Sequence, residues 1–381
     1  MSHTEPTLAL AANLKVLHCF RLPKGGVFRH VCDLIRGQSE KGLSVGVVCD
    51  SELEDEFADQ MLTELKPYCS LGVVRLPISR TLAFSDFSTA RKVSALFRAK
   101  KPNIIHGHGA KGGAYARILG SRLGIKSVYT PHGGSLHYAA NSPAGIIFLN
   151  LEKYLKRHTN GLIFESNYSA DTYETKLGAL PCDRKVIHNG LSETEFDQWT
   201  GDKTEFDFVF IGEIRKLKGI DTLLEAVSIL KQARSLTVLL AGSGPDEAYF
   251  KQRIKQLNIQ QQITISPPIF PATKAFNQGR CVVIPSLAES FPYIVLEALA
   301  AGVPLITTNV GGIPEIFGSY DARLLKPSDV DALVASMSKQ MNEPKKAIQD
   351  SIELKEYVRT QFGLEKMQVA IIDYYQHILA S

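Results

Sequence analysis

Pro285-Ser-Leu-Ala-Glu289-Ser-Phe291-Pro292-Tyr-Ile-Val-Leu-Glu297-Ala-Leu-Ala-Ala-Gly302-Val-Pro304 is the stretch on which the reading of this chain turns, and Leu305-Ile-Thr-Thr308-Asn-Val-Gly311-Gly312-Ile-Pro314-Glu315 completes it. The β-branched run Cys281-Val-Val-Ile284 before it predicts a buried strand that stops at Pro285. Ser290 is placed to cap the helix that follows, with Pro292 near the first turn, where a missing N–H costs nothing. Gly302 and Pro304 end that helix, and 305–308 resumes a strand. Eight positions at about 100° each leave two helical side chains roughly 80° apart, so Glu289 belongs in the loop and Glu297 in the helix. Two carboxylates flanking a helix N-terminus suit a sugar nucleotide. Amides near Phe291 and Tyr293 and the helix dipole face the diphosphate, while the carboxylates accept hydrogen bonds from hydroxyls.

This stretch closely resembles the nucleotide-sugar site of the retaining glycosyltransferases of family four, whose fold is GT-B. The resemblance rests on Glu289, seven residues, Glu297, an Ala-Gly302-x-Pro304 turn and Gly311-Gly312-x-Pro314-Glu315, in that order. The usual Glu-x-Phe-Gly is here Glu289-Ser290-Phe291-Pro292, which removes one backbone donor near the phosphates. A strand–loop–helix crossover with two surface glutamates is the bland alternative.

At 381 residues the chain is long enough for two ordinary α/β domains, and its composition is that of a soluble globular protein. No apolar run approaches the roughly 18–20 residues that span a bilayer. The Met1–Leu8 stretch lacks the basic-then-apolar order of a signal peptide, so a cytoplasmic protein is expected. Six scattered cysteines without a Cys-x-x-Cys pair read as reduced, mostly buried thiols. The net charge of +4 decides nothing, but its distribution does. No acid lies between Asp86 and Glu152, while Arg91, Lys92, Arg98, Lys100, Lys101, Lys111, Arg117, Arg122 and Lys126 do. Such a segment favours a polyanionic partner, an anionic membrane face or a diphosphate-linked acceptor. Solvated helix faces balanced by Glu52, Glu54, Asp55 and Glu56 would explain it equally. Nucleic acid is disfavoured, because no recognised binding module accompanies the charge.

Strands and helices alternate throughout, which predicts an α/β fold of parallel sheets with helices on both faces. Strands are expected at 14–18, 43–48, 73–76, 103–106, 127–130, 161–164 and 185–188, and a second series begins at 206–211. Helices are expected near 27–41, 86–100, 112–123, 144–158, 219–233, 246–256, 328–340, 345–360 and 364–379. The resemblance implies two Rossmann-like, doubly wound domains facing a cleft: 1–190 for the acceptor and 191–363 for the nucleotide sugar. It also implies that the helix at 364–381 packs back on the first domain.

Phe210-Ile-Gly212-Glu213-Ile-Arg215-Lys216-Leu-Lys218-Gly219 follows a strand and opens a helix, and two cations there would stabilise a departing diphosphate. The family pattern is Gly-Arg-x4-Lys-Gly; Lys218 and Gly219 match, Glu213 stands in the arginine's place, and Arg215 is the candidate replacement. Lys24-Gly25-Gly26 resembles the family's first-strand glycine loop, where amides approach a phosphate. Gly242-Ser-Gly244-Pro245 matches its Gly-x-Gly-Pro turn, though a tight turn alone accounts for it. Two histidine clusters follow strands, His106-Gly-His108 with Lys111, and His132-Gly133-Gly134. The resemblance places His132 beside the reacting sugar, through main chain or ring; His106, His108 and Lys111 are acceptor-side or structural. A zinc site is disfavoured, since the histidines lack i, i+4 pairing or nearby cysteines. Asp329-Val-Asp331 reads as helix capping.

The expectation is therefore a retaining glycosyltransferase without metal or other cofactor, with a nucleotide sugar as co-substrate. Glu297 would hold ribose hydroxyls and Glu289 sugar hydroxyls; Arg215, Lys218 and the loop Ser290, Phe291 and Pro292 would hold the diphosphate. The acceptor expected is a glycan or lipid-linked glycan of lipopolysaccharide or exopolysaccharide assembly at the inner membrane face. A soluble sugar phosphate or small metabolite is the alternative acceptor. A sugar-nucleotide epimerase, or a non-catalytic nucleotide-sugar-binding protein, is the reading from another class.

Overall fold

The computed structural model describes residues 13–79, 85–134, 142–202 and 204–381. The Met1–Leu8 stretch read for a signal peptide lies outside them. The chain forms two compact units: one runs to Asn189 and includes Leu364–Ser381, the other is Gly190–Gly363.

The first unit alternates β1 (Lys15–Cys19), α1 (Gly25–Glu40), β2 (Ser44–Asp50), α2 (Glu56–Leu65), β3 (Gly72–Leu76), α3 (Ser85–Lys100), β4 (Ile104–His108), α4 (Gly109–Leu123), β5 (Lys126–Thr130), α5 (Pro143–Leu155), β6 (Gly161–Phe164), α6 (Asn167–Leu177) and β7 (Asp183–Val186). Its seven strands are all parallel, in the order β3-β2-β1-β4-β5-β6-β7. The second unit has β8 (Phe206–Ile211), α7 (Ile220–Leu230), β9 (Val238–Ala241), α8 (Glu247–Gln256), β10 (Ile263–Ser266), α9 (Ala272–Phe276), β11 (Gly279–Ile284), α10 (Tyr293–Ala301), β12 (Leu305–Thr307), α11 (Ile313–Phe317), α12 (Val330–Asn342) and α13 (Pro344–Gln361). Its five parallel strands run β10-β9-β8-β11-β12. The last helix, α14 (Leu364–Ala380), belongs to the first unit.

Strands covered on both faces need apolar residues on both, which is why Val45–Cys49 of β2 and Cys281–Ile284 of β11 are buried runs without alternation; β4 starts as Ile104-Ile105 and ends in buried histidines. Val16, Val45, Val47, Ile104 and Val128 pack with Val31, Leu34 and Ile35 of α1 and with Ile371, Ile372 and Tyr375 of α14. Gly37 is where α1 meets α14: a Cβ there would lie 2.0 Å from Gln368. Asp329 caps α12 by accepting from the Ala332 amide at 2.9 Å, as its Asp-x-Asp context suggests. Among the described residues no helix is long and apolar enough to cross a membrane.

Five elements differ from the sequence expectation, among them the five-residue helices α9 and α11, too short to show a periodic stripe. Helices α2 and α6 are absent from it, because each buries a narrow stripe among polar residues. In α6 the stripe is Ala170, Tyr173 and Leu177, with Ser166 capping the Ser169 amide at 3.1 Å. Strand β7 is Asp183–Val186, not 185–188: it is the sheet edge, so its Asp183, Arg184 and Lys185 are exposed and hide the pattern.

The acid-free segment is less basic at the surface than in sequence. Arg117 is fully buried and pairs bidentately with Glu152, Nη1 to Oε2 at 2.8 Å and Nη2 to Oε1 at 3.0 Å. Its guanidinium stacks 3.8 Å over Tyr129, whose hydroxyl donates to the same carboxylate at 3.2 Å. Lys111 pairs with Asp86 at 2.6 Å. Arg91, Lys92, Arg98, Lys101 and Arg122 remain exposed. All six cysteines are free; burial pushes the thiols of Cys19, Cys32 and Cys49 up to about 12, so they stay protonated and serve as packing.

Removing one partner of the Arg117–Glu152 pair strands the other charge in the core. Glu152→Ala is expected to lower the unfolding free energy by about 3–5 kcal/mol, measured by urea denaturation. A loss below about 1 kcal/mol, the value of a solvated pair, would contradict the burial argument.

Candidate functional site

In an open parallel sheet the loops leaving adjacent strands in opposite directions open a crevice beyond their carboxyl ends. In the second unit that switch lies between β8 and β11. The loop after β8 is Gly212–Gly219 and the loop after β11 is Pro285–Pro292. They meet where the Leu287 amide donates to Leu217 O at 2.9 Å. Gly219, in the left-handed region at φ +69°, lies so close to the other loop that a Cβ would sit 1.8 Å from Pro285 O.

Within these loops Lys218 Nζ lies 2.6 Å from Glu289 Oε1, and the Ser286 hydroxyl donates to the same oxygen at 2.7 Å. Glu289 is largely buried, while Lys218 is about a quarter exposed. The ammonium carries three donors and Glu289 takes one, so the lysine can hold the carboxylate and still donate elsewhere. Glu297 is half-buried on α10, downstream of the loop, as the angular argument requires. Gly311 holds the glutamate loop from below: at φ +60° its Cα is so near that a Cβ would meet Glu289 O at 1.8 Å. The neighbouring Gly312 amide donates to Ser290 O at 2.7 Å.

Ser290 does not cap α10. Pro292 is the residue before the first turn, and its carbonyl accepts from Val295 and Leu296 at 3.3 and 3.4 Å. The fixed φ of proline suits the helix entrance, so the turn forms around Pro292 and leaves Ser290 in the preceding loop. Phe291 is buried against Phe362, ring centres 5.6 Å apart. Arg215 precedes the short turn Lys216–Lys218, half-exposed, with Nη1 3.9 Å from Glu213. The acid in the family arginine's place therefore neighbours the proposed substitute. Gly242 and Gly244 pack on the same loop: Cβ atoms there would meet Gly212 O at 1.9 Å and Ile214 O at 2.3 Å. Gly212, Gly242, Gly244, Lys218, Glu289 and the loop to Pro292 thus converge at the carboxyl ends of the inner strands β8, β9 and β11.

In the first unit the switch lies between β1 and β4. Gly25, at φ +70°, and Gly26 are exposed at the start of α1, whose cap residue Lys24 makes no side-chain cap. Lys111, expected on the acceptor side, is held by Asp86, which also accepts from the Tyr115 hydroxyl at 3.0 Å.

Five histidines gather at this switch. His18 stands opposite His106 in the β1–β4 register, and alternation along β4 puts His108 on the same face. His18 Nδ1 lies 3.0 Å from His108 Nε2, and His108 Nδ1 lies 3.1 Å from His132 Nε2. His132 Nδ1 is 2.5 Å from Glu165 Oε1, and His18 Nε2 is 2.9 Å from Gln38 Oε1. His106 bonds the Tyr375 hydroxyl at 2.6 Å and Thr130 Oγ1 at 2.8 Å. His30 packs edge-on to His132 and is hydrogen-bonded by Asn189. His106 is thus a fully enclosed structural residue, not an acceptor-side one: both ring nitrogens are used inside the fold.

Burial lowers the His18 pKa to about 4, and burial with the neighbouring rings holds His30, His106 and His108 well below the usual histidine value. One nitrogen each of His18, His106 and His108, and of His30, His108 and His132, lie within 4.8 Å of one another. The convergence that spacing argued against is therefore present, because four elements supply the rings. Hydrogen-bond partners already engage both nitrogens of His106 and of His108. Sequence reasoning missed His18, Gln38, Glu165 and Tyr375. The available signal was positional: Glu165 follows β6 directly, as His132 follows β5 by two residues.

Residues 24–195 match the family described as Glycosyltransferase Family 4, and residues 192–358 match Glycosyl transferases group 1. The chain is 27% identical over 320 residues to the phosphatidylinositol N-acetylglucosaminyltransferase gpi3 subunit of Schizosaccharomyces pombe, covering 81% of this chain and 68% of that one. It is 26% identical to the putative teichuronic acid biosynthesis glycosyltransferase TuaC of Bacillus subtilis, covering 76% and 75%. Among solved structures, HepE of Anabaena in complex with UDP-glucose aligns with a TM-score of 0.79 at 17% identity, over 96% of this chain and 100% of that one. Sucrose-phosphate synthase of Thermosynechococcus elongatus aligns with 0.75 at 20% identity, over 96% and 99%.

A methyl group at Gly311 must displace the glutamate loop. Gly311→Ala is expected to cost roughly 1–3 kcal/mol of stability, whereas Gly363→Ala, with nothing within 4 Å of its Cβ, should stay within about 0.5 kcal/mol. Thermal melts of the two variants check this, and equal melting points would contradict it.

Proposed function

Because the chain belongs to glycosyltransferase family four and has the GT-B fold, we propose that it is a retaining enzyme that moves a sugar from a nucleotide-sugar donor to a glycan acceptor. The observation that carries this reading is the Lys218–Glu289–Ser286 constellation at the β8/β11 switch, beside the first turn of α10. A cation, a carboxylate and a helix entrance within one loop pair match what an activated sugar presents: a diphosphate next to a ring of hydroxyls.

In this reading Glu297 accepts from ribose hydroxyls and Glu289 from sugar hydroxyls. Lys218, with Arg215 and the backbone of the Ser290–Pro292 loop, stabilises negative charge on the departing nucleotide. The bond from the anomeric carbon to the diphosphate oxygen breaks as the acceptor oxygen bonds that carbon from the same face. The acceptor's proton passes to the donor phosphate, so no separate protein base is needed. The reading assigns no metal or other cofactor. That HepE was solved with UDP-glucose supports a nucleotide-sugar donor here.

The acceptor proposed is a growing glycan, lipid-linked, of lipopolysaccharide or exopolysaccharide type, met at the inner face of the cytoplasmic membrane. The exposed cations of α3 and its surroundings, Arg91, Lys92, Arg98 and Lys101, support contact with an anionic surface. A relative named for teichuronic acid biosynthesis supports a surface-polymer acceptor.

Glu297→Ala and Lys218→Ala should each lower donor turnover by about 10²-fold or more while leaving the circular dichroism of the folded chain unchanged. Nucleotide release from common sugar donors is the measurement, and normal release by both variants would remove the site assignment. Co-sedimentation with anionic vesicles should be strong at low salt and weak at high salt. Absence of salt-sensitive binding favours a soluble acceptor, such as a sugar phosphate.

A further inference from the structure

Three consecutive residues after β5 have positive φ: His132 at 51°, Gly133 at 76° and Gly134 at 28°. Two are glycines, for which this costs little. His132 carries a Cβ, so something outside the backbone must hold it there. Its ring is the natural handle, and the ring is anchored at both nitrogens.

The geometry points to His18, His108 and Glu165 as positioning residues, which together with Gln38 form a hydrogen-bonded row that carries one proton more than three neutral imidazoles supply and thereby clamps the left-handed turn at His132. The count follows from the ends. Gln38 presents its carbonyl oxygen to His18 Nε2 at 2.9 Å, and Glu165 presents a carboxylate oxygen to His132 Nδ1 at 2.5 Å. Both ends accept, and four links join them: Gln38–His18, His18–His108, His108–His132 and His132–Glu165. Each link needs one proton, and three neutral rings bring three. The fourth belongs to the His132–Glu165 pair, where a buried carboxylate compensates the charge.

The interior rings are poor hosts for that charge, since burial holds His18 and His108 neutral. Around the row stand further groups without a compensating acid: Cys19 from β1, His30 from α1, His106 from β4 and Tyr375 from α14. The Gln38 amide sets the direction of the row. Its nitrogen faces the Tyr375 hydroxyl at 3.4 Å, and that hydroxyl is 2.6 Å from His106 Nδ1. Turning the amide over would reverse the three links from Gln38 to His132, leave His132 Nδ1–H donating to Glu165, and remove the extra proton.

A consequence concerns how His132 serves a substrate. With Nε2–H given to His108 and Nδ1–H to Glu165, the ring has no donor left. What the turn can offer is main chain, in the left-handed conformation that the ring enforces. This rests on the proposed function only in assigning His132 to the reacting sugar.

The experiment combines spectroscopy and kinetics on the full chain. With histidines labelled by nitrogen-15, the His132 ring, assigned from its loss in His132→Ala, should show both nitrogens protonated at neutral pH, and Glu165→Gln should render it neutral. A neutral His132 facing an ionised Glu165 in the unaltered protein, the carboxylate read by its infrared band, would overturn the proton count. In kinetics, His18→Leu and Glu165→Gln should lower kcat by about 10–10²-fold with donor KM little changed. His132→Gly should lose less than His132→Ala, because glycine adopts the turn without an anchor. In the His132→Gly background Glu165→Gln should add no further loss. Equal losses from Glu165→Gln in both backgrounds would overturn the clamp, and so would an unchanged kcat in the unaltered background. Lys218→Ala separates the two ideas: failure of that variant to reduce turnover removes the functional reading and leaves the ring spectrum to decide whether the row holds its extra proton.

Discussion

A parallel sheet wound outward from an inner strand must, somewhere, send two neighbouring strands' exits in opposite directions. Everything functional in this chain depends on that constraint. In the second unit it separates the loops after β8 and β11; in the first it separates those after β1 and β4. Side chains at such exits need no special folding code to converge. They need loops close enough to meet, and here glycine supplies the closeness: Gly219 lies against Pro285 O and Gly311 against Glu289 O at distances no Cβ would allow. Loop-on-loop packing then fixes Glu289 while leaving its partner Lys218 partly accessible.

The two switches solve different electrostatic problems. In the second unit a lysine and a glutamate neutralise each other across neighbouring loops, with the lysine still partly accessible. In the first unit most of the polar side chains at the switch are inside the fold, where unsatisfied groups are expensive. The Arg117–Glu152 pair with Tyr129, and the histidine row between Gln38 and Glu165, both answer most of that cost by closing hydrogen bonds on neighbours; Glu165 Oε2 is the row's one buried oxygen without a partner among the described residues. The first therefore carries stability and the second carries conformation. His132 alone among the row's rings has a backbone that resists its position.

Much of the second unit's candidate site was legible in sequence, because its parts are local. Glu289, Glu297, Gly302 and Pro304 lie within one strand–loop–helix passage, and their order fixes which acid is in the loop. Details of the helix entrance were not: Ser290 and Pro292 both suit it, and the contest was settled by the Gly312 amide holding Ser290 O. The first unit was legible as strands and helices, apart from the narrow-striped α2 and α6 and the charged edge strand β7. Its side-chain chemistry was largely hidden. His106 and His108, expected on the acceptor side or as structural residues, are enclosed in the folded unit, Arg117 is buried against Glu152, and Lys111 is held by Asp86.

The sequence by itself determined the α/β class, the family resemblance and the order of Glu289, Glu297, Gly302 and Pro304 along one strand–loop–helix passage, since hydrophobic periodicity and short motifs depend on neighbours along the chain. Tertiary structure alone decided which histidines are enclosed and which residue, Glu165, terminates their row. It also decided that the last helix, whose place on the first unit the resemblance already implied, brings Tyr375 to His106. The physical reason is separation: β1, β4, the loop after β5, the end of β6 and α14 are far apart in sequence, and parallel pairing brings their side chains together by register, which no local pattern encodes.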